Sequence, residues 1–145
     1  MLMLKFLIYL FISACCFIAN ANQNLETSYS TEYSQNSIGG IGLIETPTAR
    51  FSQDGEIAFG ISTQDTYNRV FSKMQVFPWL EAVIKYTEGT YKPYGAQTWK
   101  DKGIDLKLRI IEENNNLPGL AIGFNDFGGN GAFASEYIVA TKRNS

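Results

Sequence analysis

Apolar and polar side chains alternate at period two along most of this chain. From Gly103 to Ile111, Ile104, Leu106, Leu108 and Ile110 are interleaved with Asp105, Lys107 and Arg109. A helix would scatter those four aliphatics around its circumference, whereas a strand sets them all on one face. Leu80, Ala82, Ile84 and Tyr86 alternate likewise with Glu81, Val83, Lys85 and Thr87, and Ile57, Phe59 and Ile61 with Glu56, Ala58, Gly60 and Ser62. Leu120, Ile122 and Phe124 face away from Ala121, Gly123 and Asn125, and Tyr137, Val139 and Thr141 from Glu136, Ile138 and Ala140. The least regular stretch opposes Val70, Met74 and Val76 to Arg69, Lys73 and Gln75. The pattern predicts an all-β antiparallel meander of about six strands near residues 55–65, 68–77, 79–88, 102–112, 118–127 and 133–142.

The connections carry a second pattern. Phe77-Pro78-Trp79 is a tight corner and Glu113 to Leu117 a polar turn, whereas Glu88 to Lys102 is long and Phe127 to Gly131 glycine-rich. Outer-membrane barrels pair short periplasmic turns with longer external loops, and each predicted strand has roughly the 9 to 11 residues a tilted membrane crossing needs. Ahead of the strands, Gly39 to Arg50 holds three glycines and Pro47, and is expected to be an ordered turn that introduces the sheet.

The same alternation fits two solvents. In a β-sandwich the aliphatic face meets a shared core and the charged face meets water. In a membrane barrel the aliphatic face meets lipid and the polar face a wet lumen. The polar face carries small residues (Ala58, Gly60, Ser62, Ala121, Gly123) suited to the inner side of a curved sheet. Aromatics gather near strand ends (Phe77, Trp79, Tyr86, Phe127, Phe133), where interfacial girdles sit. Both details favour the barrel. A secreted or periplasmic polysaccharide-binding sandwich is the alternative. Six strands fall short of the eight at which single-chain barrels begin. The ending Lys142-Arg143-Asn144-Ser145 lacks a terminal aromatic, and the expectation is a truncated fragment.

Targeting accounts for the remaining apolar run. Lys5, the stretch from Phe6 to Ile18 and Ala19-Asn20-Ala21 read as a cleaved signal peptide over residues 1–21. The run is too short for a permanent span, which takes about 20 apolar residues. Both cysteines, Cys15 and Cys16, lie within it, so cleavage after Ala21 leaves no thiol or disulfide framework. Ile12-Ser13-Ala14-Cys15 competes as a lipobox, with Cys15 as the lipidated residue. Residues 22–37 read as a flexible polar leader, and residues 38–145 as the β domain.

Composition narrows the chemistry. Among 145 residues there is no His, which excludes Ser-His-Asp and Cys-His nucleophilic systems and the usual zinc sites. The net charge of -2, or -3 once Lys5 is removed, excludes a basic nucleic-acid surface.

The segment Gly39-Gly40-Ile41-Gly42-Leu43-Ile44-Glu45-Thr46-Pro47-Thr48-Ala49-Arg50 resembles the GG-x-GL-x-x-TPTAR opening of the YjbH family of exopolysaccharide-biosynthesis proteins of Gram-negative bacteria. The likeness continues through Gln75 to Glu81, Lys100 to Lys107, and Asp126 to Gly129 with Ser135 to Tyr137, covering about residues 38 to 143. It implies an outer-membrane protein, a porin-like β-barrel or lipoprotein, working with other proteins of an exopolysaccharide operon. The implied partners are outer-membrane lipid and exopolysaccharide. Family members are several times longer, and the resemblance carries over no catalytic residue, cofactor or metal.

The candidate site follows from that reading. Glu81, Lys85, Asp105, Lys107 and Arg109 on the polar strand faces are candidate lumen or saccharide contacts, set against opposite charges that merely pair across the sheet. Trp99, with Tyr91, Tyr94, Lys92, Lys100 and Lys102, makes an aromatic and basic loop suited to stacking on sugars. Trp79 reads as a packing anchor at its corner. Asp126 and Glu136 flank a glycine cluster and have the residue types of a glycosidase pair, although Asp126 equally suits capping of the following turn. No catalytic function is expected.

Overall fold

The computed structural model describes residues 33–92, 95 and 97–143. The predicted signal peptide, Cys15, Tyr94 and most of the predicted polar leader lie outside the described residues.

The described chain is all-β. Two short strands, β1 (Gly42–Leu43) and β2 (Thr46–Pro47), pair as a hairpin. Six longer strands follow: β3 (Ile57–Gln64), β4 (Tyr67–Phe77), β5 (Leu80–Gly89), β6 (Lys100–Ile111), β7 (Gly119–Phe127) and β8 (Ser135–Thr141). They form one antiparallel sheet in chain order, the meander the alternation predicts, with ends within two residues of those expected. Neither β3 nor β8 has a further strand on its outer edge among the described residues.

Three β-bulges interrupt the register, at Val76, Ile110 and Asn125-Asp126. Each puts an extra residue on one strand and re-aims its neighbours. The third leaves Asp126 at a φ of 58°, buried, with its N–H donating to Asp105 Oδ1 at 2.7 Å.

The two faces have opposite chemistry and the reverse of ordinary burial. The aliphatic face is open: Phe59 is 79% exposed, Ile61 76% and Ile84 64%. The polar face is covered: Lys73 is fully buried, Glu81 2% exposed and Lys107 3%. A sandwich would enclose the aliphatic side; no second sheet lies on it among the described residues.

Residues 34–52 lie over the polar face. Phe51 and Ala49 pack on Ala121 and Val139, the apolar core of the described chain. The predicted turn is ordered as expected, but it is a lining of the sheet as well as a lead-in. The end of the polar leader is held too, with Asn36 buried and Ser34 Oγ donating to the Gly42 carbonyl at 2.6 Å. Glycine is required where the lining is tightest. Gly39 has a φ of 110°, and a Cβ there would stand 2.7 Å from Phe71 and 2.9 Å from Val83.

Candidate functional site

Strand alternation delivers the charged residues to one surface. Glu81, Val83, Lys85 and Thr87 project from β5 beside Asp105, Lys107 and Arg109 of β6. The pairings Glu81↔Lys107 and Val83↔Asp105 fix their order.

The charges neutralise one another and hold the lining. Lys107 Nζ lies 3.0 Å from Glu81 Oε1 and donates to the carbonyls of Arg50 at 2.9 Å and Ile41 at 3.3 Å. Glu81 Oε1 also accepts the Ile41 N–H at 3.2 Å. Lys107 Nζ and the Arg109 guanidinium each stand 4.6 Å from the centre of the Phe51 ring, an attractive arrangement of cation and π-face. Lys85 Nζ is 2.7 and 2.8 Å from the two oxygens of Asp105. Lys73 Nζ meets Ser52 Oγ and Glu56 Oε1, both at 2.7 Å. Ala49 N–H donates to Thr141 Oγ1 at 2.9 Å, tying the lining to β8.

Two polar atoms of this face, Glu81 Oε2 and Thr87 Oγ1, are buried with no hydrogen-bond partner among the described residues. A cavity of about 320 Å3 opens between the β1–β2 hairpin and strands β5 to β8, bordered by Glu81, Asp105, Lys107, Asn125 and Tyr137. Among the described residues no cluster of His, Cys, Asp and Glu is grouped to hold a metal ion.

Glu113 lies in the β6–β7 turn, outside the strands. Its Oε2 accepts from Arg50 Nε at 3.1 Å, and its Oε1 accepts the Arg143 N–H. Those two hydrogen bonds, the first the larger, hold its carboxyl below the usual carboxylate range.

The structure therefore brings together five of the six described candidates and leaves one apart. Glu81, Lys85, Asp105 and Lys107 are buried and Arg109 is partly buried on the covered face. Trp99 sits at the other end of the strands in an aromatic cluster. It stacks on Tyr91 at 6.4 Å and meets Tyr67 and Phe133 edge-on at 6.0 and 5.6 Å. Arg69 lies over Tyr67 and Phe133 at 5.3 and 5.2 Å. Trp79 stacks on Phe77 at 5.4 Å beside its corner.

The carboxylate pair does not assemble. Asp126 Oδ2 accepts the Phe133 N–H at 3.2 Å, and the Asp126 carbonyl accepts from Gly129, so the residue closes its own loop. Glu136 is exposed on β8, opposite Phe124. Sequence reasoning missed Phe51, Tyr137 and the lining itself. The available signal was the small residues opposite them: Phe51 packs on Ala121, and a Cβ at Gly123 would overlap the ring of Tyr137.

Comparison with known proteins agrees with the motif resemblance. The family described as "Exopolysaccharide biosynthesis protein YbjH" matches residues 34–145. A protein of Escherichia coli (strain K12), named "Uncharacterized lipoprotein YjbH", is 44% identical over an alignment of 116 residues that covers 75% of this chain and 17% of that protein. The chain thus spans about one-sixth of the length of that curated relative. No solved structure matches.

Proposed function

This chain belongs to the YjbH exopolysaccharide-biosynthesis family, and from that premise we propose that it forms part of a porin-like outer-membrane β-barrel that assists exopolysaccharide export without covalent chemistry. In this reading the open face meets hydrocarbon, the covered face lines the interior, and residues 34–52 are an inner lining.

The observation that carries the reading is the inverted burial. Each fully buried Ile or Phe gains about 1.5–3 kcal/mol over an exposed one in water. Burying charge costs energy unless it is paired and hydrogen-bonded. A sheet that exposes Phe59, Ile61 and Ile84 while burying Lys73, Glu81 and Lys107 forgoes the first gain and incurs the second cost. In lipid the assignment reverses and the same sequence is well matched to its solvent. Because lipid leaves no open sheet edge unsatisfied, the reading requires strand partners for β3 and β8.

The relative's name as a lipoprotein supports lipidation of the exported chain, which this reading assigns to Cys15 of the lipobox-like Ile12-Ser13-Ala14-Cys15. The aromatic cluster around Trp99, with the long β5–β6 loop, is placed in this reading to touch polymer.

Fractionation tests the proposal. The chain, expressed with its leader in a Gram-negative host, is expected in the outer-membrane band of a density gradient and to resist carbonate and urea washes. Release as a soluble monomer overturns the reading. Palmitate labelling that disappears in Cys15→Ala is the expected sign of lipidation, and labelling that persists in that variant overturns that assignment.

A further inference from the structure

The open face is not uniformly apolar. Towards the end of the strands that bears the 90–99 and 128–134 loops, Phe59, Val70, Ile84 and Ile104 border a shallow dish of about 500 Å3, with Ser72 between them. Directly beyond it lies a polar recess of about 530 Å3 bordered by Lys100, Lys102, Gly129 and Asn130. Dish and recess share Tyr86, Lys102 and Gly128, so they form one continuous depression, apolar below and cationic above.

The two lysines are free to meet a ligand. Both are exposed, and neither forms an ion pair among the described residues. The nearby carboxylates are otherwise engaged. Glu88, paired in register with Lys100, accepts from Thr98 Oγ1, and buried Asp101 accepts the Asn130 N–H at 3.2 Å.

Resting on the outer-membrane reading above, we propose that this depression binds a phosphorylated anionic lipid, its acyl chains in the dish and its headgroup phosphate against Lys102 and Lys100. Acyl chains match the aliphatic dish, and ammonium groups at the membrane surface attract anionic headgroups. A free phosphate ion would use only the recess and leave the dish empty. The shared border at Tyr86 and Lys102 is what selects a molecule with both parts.

The full chain, extracted from membranes in a mild non-ionic detergent, is examined by native mass spectrometry for retained lipid. It is then titrated with dioleoylphosphatidylglycerol, dioleoylphosphatidylcholine and inorganic phosphate. Wild type is expected to retain an anionic phospholipid or lipopolysaccharide and to prefer phosphatidylglycerol. The Lys100→Ala/Lys102→Ala variant is expected to bind it roughly thirtyfold more weakly, the effect of about two surface cations. Lys100→Arg/Lys102→Arg is expected to keep binding, and Val70→Asn to weaken it from the apolar side. Equal retention by wild type and the alanine variant in a membrane-resident protein overturns the lipid site alone. Displacement by inorganic phosphate at equal concentration reduces it to an anion site and overturns it too. A chain washed off membranes as a monomer overturns both the site and the outer-membrane reading.

Discussion

At the scale of single residues, the decisive pair is Glu81 and Lys107. Each is almost wholly buried, and both are bonded to the backbone of the lining as well as to each other. Removing one charge strands the other in a low-dielectric site, which typically costs about 3–5 kcal/mol. Lys107→Met is therefore expected to lower stability by about that amount, read from denaturant midpoints. Adding Glu81→Gln to Lys107→Met removes the stranded charge while retaining an acceptor for the Ile41 N–H. The double variant is expected to be no less stable than Lys107→Met; strictly additive losses would show that the two side chains do not act as a pair. The turn residue Glu113 supplies a pH test. Its carboxyl is held below the ordinary value, so it binds a proton more readily in the unfolded chain. Its contribution is complete above the ordinary carboxylate pKa and is lost as pH falls through the depressed one. Wild type is expected to lose part of its stability over that acid window, and Glu113→Gln to lack that increment. Superimposable acid profiles would rule out the Arg50–Glu113 contact as a determinant.

At the scale of elements, the 34–52 lining and the strands were unequally legible. The strands were plain in the sequence because period two survives whichever solvent each face meets: Ile104 to Ile110 must share a face in water or in lipid. The bulge at Asn125-Asp126 was not, since a one-residue insertion leaves no mark in an apolar pattern that already ends at Phe124. The lining was harder still. Gly39 to Arg50 has no periodicity, and it is held by backbone groups bonded to side chains 40 to 92 positions away. The charged candidates were found as one face, whereas their commitment to Ile41 and Arg50 depends on tertiary contact alone. Phe51 tests the lining. Its ring fills the apolar gap against Ala121 and Val139 under two cations, and truncating a core Phe to Ala costs about 3–5 kcal/mol. Phe51→Ala is expected to loosen residues 34–52 before the sheet, so that trypsin cuts after Arg50 while β4 to β7 stay protected from hydrogen exchange. Simultaneous loss of protection in lining and sheet would mean they unfold as one unit.

At the scale of the molecule, the sign of one substitution separates the two solvents. Ile84 lies near the middle of β5, 64% exposed, with Ser72 and Ile104 as its register neighbours on β4 and β6. If that face meets water, Ile84→Lys is a surface change worth less than about 0.5 kcal/mol, and it aids solubility. If the face meets hydrocarbon, a lysine near the bilayer midplane costs about 2–4 kcal/mol on a barrel's lipid side, falling towards zero at the interfaces. Ile84 lies two residues from the Tyr86–Lys102 pair that the lipid site sets near the headgroups, so the outer-membrane reading expects Ile84→Lys to lower folding stability in vesicles by an amount between those limits. Ile84→Leu changes little, and Lys102→Ala, near the strand end, is nearly neutral for folding. The depth dependence matters more than the single value, because a general loss of β-structure would not distinguish the middle of a strand from its end. Equal, small effects at both positions would place the open face in water, and the inverted burial would then need a protein partner over the aliphatic side.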